Sequence, residues 1–401
     1  MGSWLAGVAL AALAATGAQA QMSDGAIKIG VLTDMSSLYT DLSGAGSVLA
    51  ARLAVEDFGA AAKGMKVEII SADHQNKADV GSTTARSWYD VEKVDVIVDT
   101  PNSGVALAVN EVTREKNKVF LVSGAASSDL TGPKCSPNTV HWTYDTWALA
   151  NGTGNAIVKT GGDSWFFLTA DYAFGHALER DTEAVVTKNG GKVLGKVRHP
   201  LNNADFSSFL LQAQSSKAKI VGLANAGGDT TNAIKQAAEF GIVKGGQSLA
   251  GLLVFLTDVH GLGLQTAQGL IMTEAWYWDM TDANRAFAKR FAAANKGIHP
   301  TMIHAGVYSA VTHYLKAVEA VKSDADGKAV VEKMKATPTD DSLFGKGTIR
   351  KDGRKVHDMY LFEVKKPAES KGPWDYYKLR STIPAAQAFR PMAEGNCPIA
   401  G

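Results

Sequence analysis

The feature that most narrows the fold is a repeated alternation of short β-branched runs with helical stretches. IKIGVL (27–32) reads as a strand, and 46–58 follows with Val48, Leu49, Leu53 and Val55 on a helical period. KVEIISA (66–72), VDVIVD (94–99) and VFLVS (119–123) continue as strands, with helices over 79–92 and 103–116 between them. Strands alternating with amphipathic helices give βαβ units and a parallel sheet. The stretch from Gly132-Pro133 to Trp147 breaks this rhythm, and a second series starts. Its strands are SWFFLT (164–169), KVLGKVRHP (192–200), KIVGLAN (219–225), LLVFL (252–256) and LIMT (270–273). Its helices are predicted over 175–189, 206–214 and 230–240.

The fold class this predicts is α/β, with two doubly wound parallel-sheet lobes. After Trp278, helices are predicted over 281–295, 303–321 and 327–335, then strands near 348–350 and at MYLFEV (359–364). These pieces are expected to form no sheet of their own and to pack on the first two. The simplest course is a return to lobe one and a last crossing into lobe two. Crossings are expected near 142–146, 273–278 and 355–362. Lobe one is then 21–142 plus 278–355, lobe two 143–277 plus 356–385, and 386–401 a C-terminal tail. A three-segment hinge of this kind suits bending closure around a ligand.

A chain of 401 residues, 45% apolar and 20% charged, has room for two such lobes. The formal net charge of +1 gives no global field toward nucleic acid. Residues 4–15 (WLAGVALAALAA) form an apolar run followed by Ala18-Gln19-Ala20. That pattern reads as a secretory signal peptide over 1–20, cleaved after Ala20, although residues 1–5 carry no lysine or arginine; an uncleaved anchor is the alternative. Export implies an oxidising compartment, the periplasm, where Cys135 and Cys397 favour a disulfide that ties down the tail. Two free thiols are the alternative.

Motifs for chemistry are missing. The sequence has no HExxH, no GxSxG and no GxxxxGK[ST], and no His/Cys cluster has zinc spacing. No metal, no cofactor and no enzymatic activity is therefore expected. His304, Tyr308 and Thr312 lie one turn apart, a spacing more typical of a packed helix face than of a site. Small polar residues do gather where strands end, and in open α/β sheets ligands bind beyond the carboxyl ends of strands. Strand 94–99 runs into Asn102-Ser103-Gly104, strand 119–123 into Gly124-Ala125-Ala126, and strand 219–225 ends at Asn225. A chain that turns into a helix there leaves free N–H groups, an anion site suited to a carboxylate; plain loop chemistry is the competing reading. Aromatic residues crowd the same region: Tyr39 after the first strand, Trp142, Tyr144 and Trp147 at the first crossing, Tyr172 and Phe174 after strand 164–169, and Trp276, Tyr277 and Trp278 at the second. Such rings give a pocket an apolar wall, and about half of them are expected to be structural.

The segments IKIGVLTDMSS, NSG (102–104), SGAASSDLTG (123–132) and LTADYAFG (168–175) resemble the type I periplasmic solute-binding proteins. The branch resembled is that of the leucine/isoleucine/valine-binding protein and its amide- and aromatic-acid-binding relatives, over almost the whole mature chain. The resemblance implies a monomeric binding component of an ABC importer, partnered by an inner-membrane permease. It implies that Asn102-Ser103 gives a hydroxyl to a ligand carboxylate, that Gly124, Ala125 and Ala126 give N–H groups, and that Phe174 covers the ligand. A cysteine near the first crossing paired with a C-terminal one also resembles part of that family. Amino-acid-binding members seat carboxylates against the ligand ammonium where this chain has Trp147 and Leu252–Leu256, with Asp145 and Asp258 only nearby. An unpaired buried ammonium is costly. The expectation is therefore a small carboxylate, first an aromatic acid, with Tyr39, Trp147, Phe174 and Trp276 as walls and Asn225 as a polar contact. Branched-chain amino acid or amide binding, a ligand-sensing receptor domain and a secreted hydrolase are the alternatives.

Overall fold

A computed structural model describes residues 22–400; the signal segment 1–20 lies outside the described residues. Strands β1 (Ile27–Thr33), β2 (Val67–Asp73), β3 (Val96–Asp99), β4 (Val119–Val122) and β5 (Thr139–His141) form one parallel sheet in the order β2-β1-β3-β4-β5. Strands β6 (Ser164–Ala170), β7 (Lys192–His199), β8 (Ile220–Ala224) and β9 (Ser248–Gly251) form a second, in the order β7-β6-β8-β9. In the inner strands β1, β3, β4, β6 and β8, side chains alternate between two buried faces, which is why these read as nearly continuous apolar runs. Ile29 and Val31 join one core, which also takes in Val311 and Tyr314 of the helix Met302–Val321. Leu32, Ile97 and Phe120 face the other, beneath the helices Ala78–Asp90 and Ser103–Glu115. The fold is α/β with two parallel sheets.

Three expectations need correction. The run 252–256 is not a strand: β9 stops at Gly251, and the helix Leu256–Leu262 begins where the Asp258 carboxylate accepts the Phe255 N–H at 2.8 Å. Residues 252–255 are a buried loop, because burial alone made the run look like a strand. The strand near 270, now β10 (Ile271–Glu274), does not extend the second parallel series. It pairs antiparallel with a later strand. The C-terminal third does form sheets of its own. The strands β11 (Thr339–Asp341), β12 (Gly345–Ile349) and β13 (Lys355–Val356) make an antiparallel ladder, tied to β5 by an isolated bridge between His141 and Arg354. The strands β14 (Met359–Val364) and β15 (Tyr377–Ile383) join β10 in the order β10-β14-β15.

Cys135 and Cys397 are bonded, with Cα atoms 5.6 Å apart and a sequence separation of 262. The tail is held besides by Arg390, whose Nη2 donates to the Ser128 carbonyl and whose own carbonyl accepts from Arg350. Closing so long a loop restricts the unfolded chain, by about 5 kcal/mol at most in the chain-entropy model. Replacing Cys397 by Ser should lower the unfolding free energy by about 2–5 kcal/mol, read as a lower urea midpoint. An unchanged midpoint would show that the tail's other contacts suffice.

Candidate functional site

The carboxyl ends of the two parallel sheets face one another across a small cleft. From the first sheet come Tyr39 and Leu42 in the loop after β1, Pro101 after β3, Gly124 and Ala126 after β4, and Tyr144 after β5. From the second come Tyr172 and Phe174 after β6, Ala226 after β8, and Leu253 and Phe255 after β9. The cavity they enclose is about 10 Å³, room for one water. The Tyr39 and Tyr172 hydroxyls form a short hydrogen bond across it. Gly227, at φ +57°, lets the two sides meet, since a Cβ there would come 2.7 Å from the Leu38 carbonyl oxygen.

Asp34 organises the loop that carries Tyr39. Its buried carboxylate accepts the N–H groups of Ser36, Ser37 and Tyr39, the Ser37 hydroxyl and the Asn76 amide, at 2.6–3.3 Å. At one flank of the cleft, Asp181 accepts from Ser128 (2.7 Å) and Thr146 (2.6 Å), while Arg180 spans to Asp129 (3.1 Å). The helix Ala173–Lys188 is thus tied to the turn after β4.

Of the ten residues singled out in the sequence as ligand contacts, Tyr39, Gly124, Ala126 and Phe174 line the cavity. The others have different placements. Asn102 caps the helix Ser103–Glu115, its Oδ1 accepting the N–H groups of Gly104 and Val105. Ser103 Oγ accepts the N–H groups of Ala126 (3.3 Å) and Ser127 (3.2 Å), so the Ala126 N–H, expected to be free for an anion, already bonds a hydroxyl. Ala125 packs into the first lobe's core, its carbonyl bonded by His141. Asn225 is engaged by Thr230 (2.6 Å) and His199 (3.1 Å). Trp276 lies in the core edge-on to Phe287, and Trp147 is half-buried on the short helix Thr146–Leu149. Neither lines the cavity.

Tyr144 and Tyr172 stood in the aromatic clusters of the sequence but were not chosen over Trp147 and Trp276. Phe255 and Leu253 were hidden in the run misread as a strand. The neighbouring acids are mostly committed: Asp145 caps Ala148 and faces Arg354 at 3.5 Å, Asp258 caps Phe255, and Glu274 accepts from Tyr377 at 3.2 Å. Asp99 differs. It is fully buried at the end of β3, and among the described residues neither carboxylate oxygen has a hydrogen-bond partner of normal geometry. Burial pushes its carboxyl up to about 7, against the opposing effect of the Thr33 and Ser47 hydroxyls. A Cβ at Gly124 would sit 2.8 Å from Asp99 Oδ1, so this acid stands directly behind the cavity wall. No sequence pattern marks it, because it reads as the last residue of an apolar strand.

This architecture has close counterparts. A family model described as periplasmic binding protein matches residues 26–372. A periplasmic binding protein from Burkholderia mallei is 54% identical, with a TM-score of 0.91 over 94% of this chain and 100% of that one. A branched chain amino acid ABC transporter periplasmic ligand-binding protein from Burkholderia xenovorans LB400 is 41% identical, with a TM-score of 0.83 over 94% and 100%. The Leu/Ile/Val-binding protein homolog 6 of Brucella melitensis is 25% identical over 271 residues, 65% of this chain and 67% of that protein. A solute-binding protein of an R. palustris ABC transporter, solved in complex with benzoate, shares the fold at 24% identity and a TM-score of 0.79, over 90% and 97%. With a match over most of its length and a cleft between the carboxyl ends of two parallel sheets, this chain belongs to the periplasmic binding protein family, as a solute-binding protein of the ABC-transporter type.

Proposed function

We propose that this protein captures a small carboxylate, first an aromatic acid, between two closing lobes in the periplasm and hands it as a monomer to an inner-membrane ABC permease. The observation that carries the reading is the composition of the cleft. Five of its eleven lining residues are the rings of Tyr39, Tyr144, Tyr172, Phe174 and Phe255, drawn from both sheets. Such walls grip a flat apolar body with little side-chain entropy to lose. At about 10 Å³ the cleft admits no solute until the lobes part, so entry breaks the Tyr39–Tyr172 bond. The crossings near 142–146, 273–278 and 355–362 serve as the hinge. Ser103, already taking two N–H bonds, offers its own proton to the ligand carboxylate, and that carboxylate competes for the Ala126 N–H. The apolar segment 4–15 is the export signal in this reading.

A second reading, a branched-chain amino acid, is favoured by Asp99. Its ionised form is an acceptor for an α-ammonium, which the sequence had seemed to lack. The relative from Burkholderia xenovorans is described as a branched chain amino acid transporter component. Calorimetry with benzoate-type acids and with leucine separates the two. Ser103→Ala should cost the true ligand one charge-assisted hydrogen bond, about 1.5–3 kcal/mol, or about ten- to a hundred-fold in affinity. Phe174→Ala should weaken it by a similar factor through lost ring contact. Tight leucine binding with no response to benzoates would reject the aromatic acid.

The pH dependence of affinity makes an independent test. With its carboxyl near 7, Asp99 is protonated below that pH and ionised above it. An aromatic carboxylate needs the protonated form as a donor, so its affinity should fall as pH rises through 7. An amino acid needs the ionised form, so its affinity should rise over the same range. Either slope is limited to about tenfold per pH unit. Burial also brings Asp258 and Lys355 to about 7 and Asp229 to about 6. The profile is therefore measured against Asp99→Asn, which should flatten it. A profile identical in the variant would remove Asp99 from ligand recognition.

A further inference from the structure

At the opposite end of the first sheet, beyond the amino ends of β1 and β3, three aspartates converge. Asp24, Asp95 and Asp324 each bring a carboxylate oxygen within 4.8 Å of the other two. Asp95 and Asp324 are each 1% exposed, and Asp24 is at the surface. Asp95 accepts from Lys118 Nζ (2.7 Å) and the Lys28 N–H (2.9 Å). Asp324 Oδ1 accepts the Ser23 N–H (2.8 Å), but its Oδ2 is buried with no partner among the described residues. The Tyr314 hydroxyl is also buried with no partner among the described residues, and Asp95 and Asp324 are the charges that act on it most strongly. Lys28 Nζ is used elsewhere, on the Glu92 carbonyl (2.7 Å).

Lys118 is bonded to Asp95 and Lys66 is a weaker counter-charge to Asp24, already paired with Glu68, so three carboxylates keep an excess of negative charge, and two of the three lie out of water. Buried charge of one sign is expensive unless compensated. We propose that this cluster binds a hard divalent cation of the calcium type. Asp24, Asp95 and the free Oδ2 of Asp324 would supply oxygen ligands, and water would complete the six to eight such an ion takes. The ion offsets that excess. The ion would pin the segment at Ser23-Asp24 and the loop after the helix Met302–Val321 to the base of the sheet. The cleft lies at the other end of the strands, so this site does not depend on which solute binds there.

The test uses the purified protein stripped with EDTA. Saturating CaCl₂ should raise the melting temperature by about 3 °C, beyond any shift from NaCl at equal ionic strength. Terbium should bind with luminescence sensitised by tyrosine and be displaced by calcium. Asp324→Asn should abolish both responses. If that variant does not fold, Asp24→Ala, a surface change, should weaken terbium binding at least tenfold while leaving the fold intact. Equal melting in CaCl₂ and EDTA, or undiminished terbium binding by Asp24→Ala, would overturn the site.

Discussion

The relation between the two lobes rests on one buried set of contacts where the first and third crossings lie side by side. Arg354, wholly buried, donates from Nη1 to the Tyr144 carbonyl at 2.9 Å and from Nε to the Lys355 carbonyl at 2.8 Å. His357 Nε2 meets the Thr143 carbonyl at 2.9 Å, and His141 N–H donates to the Gly353 carbonyl at 2.9 Å. Arg354 also faces Asp145 at 3.5 Å, yet burial raises the Asp145 carboxyl and lowers the Arg354 guanidinium to about 10. Desolvation thus outweighs attraction for both partners, so the pair contributes little net stability of its own. What it gives is alignment: two strands of the hinge are stitched backbone to side chain and cannot slide past one another.

That stitching has a direct effect on the cleft. Tyr144 belongs to the stitched segment, and its hydroxyl donates to the Gly124 carbonyl. The first crossing therefore sets the wall after β5 and the loop after β4 together. Across from them, Asp34 does the same for the loop after β1 by collecting five donors on one carboxylate. The ring of Tyr39 is held by the backbone of its own loop, and its hydroxyl bonds Tyr172 across the cavity. A bond between two neutral hydroxyls is modest in net free energy. It is of a size that a solute with better contacts can replace.

The sequence made the parallel sheets legible because buried strands between amphipathic helices leave a strong pattern, and the helix ends fell within a few residues of those observed. It misled where burial mimicked strand character, at Leu252–Phe255, and where strands lie outside the βαβ rhythm, as in β11, β13 and β15. The cleft was half legible. Strand-end position pointed to the loops of Tyr39, Gly124 and Phe174, which line the cavity. It could not rank one aromatic over another, because whether a ring turns to the core, as Trp276 does, or to the cavity, as Tyr172 does, depends on packing between distant segments. Nor could it show that Asn102 and Asn225 spend their polar atoms on capping and on Thr230 and His199.

Asp99 shows how a site can be built where local rules are broken. Asp99 and Thr100 both take left-handed backbone angles, φ +79° and +56°, which non-glycine residues avoid at a cost of about 1–3 kcal/mol each. The turn lets Thr100 donate its N–H back to the Leu32 carbonyl at 2.9 Å, and it swings Pro101 into the cavity wall. It also leaves a carboxyl group buried, eased only by the Thr33 and Ser47 hydroxyls, a second penalty at the same point. A glycine at 99 would remove both. Two unfavourable features at consecutive residues, beside a cavity and at the carboxyl end of a strand, are best understood together. The turn holds the acid directly behind the Gly124 wall of the cavity, where a Cβ would meet its Oδ1 at 2.8 Å.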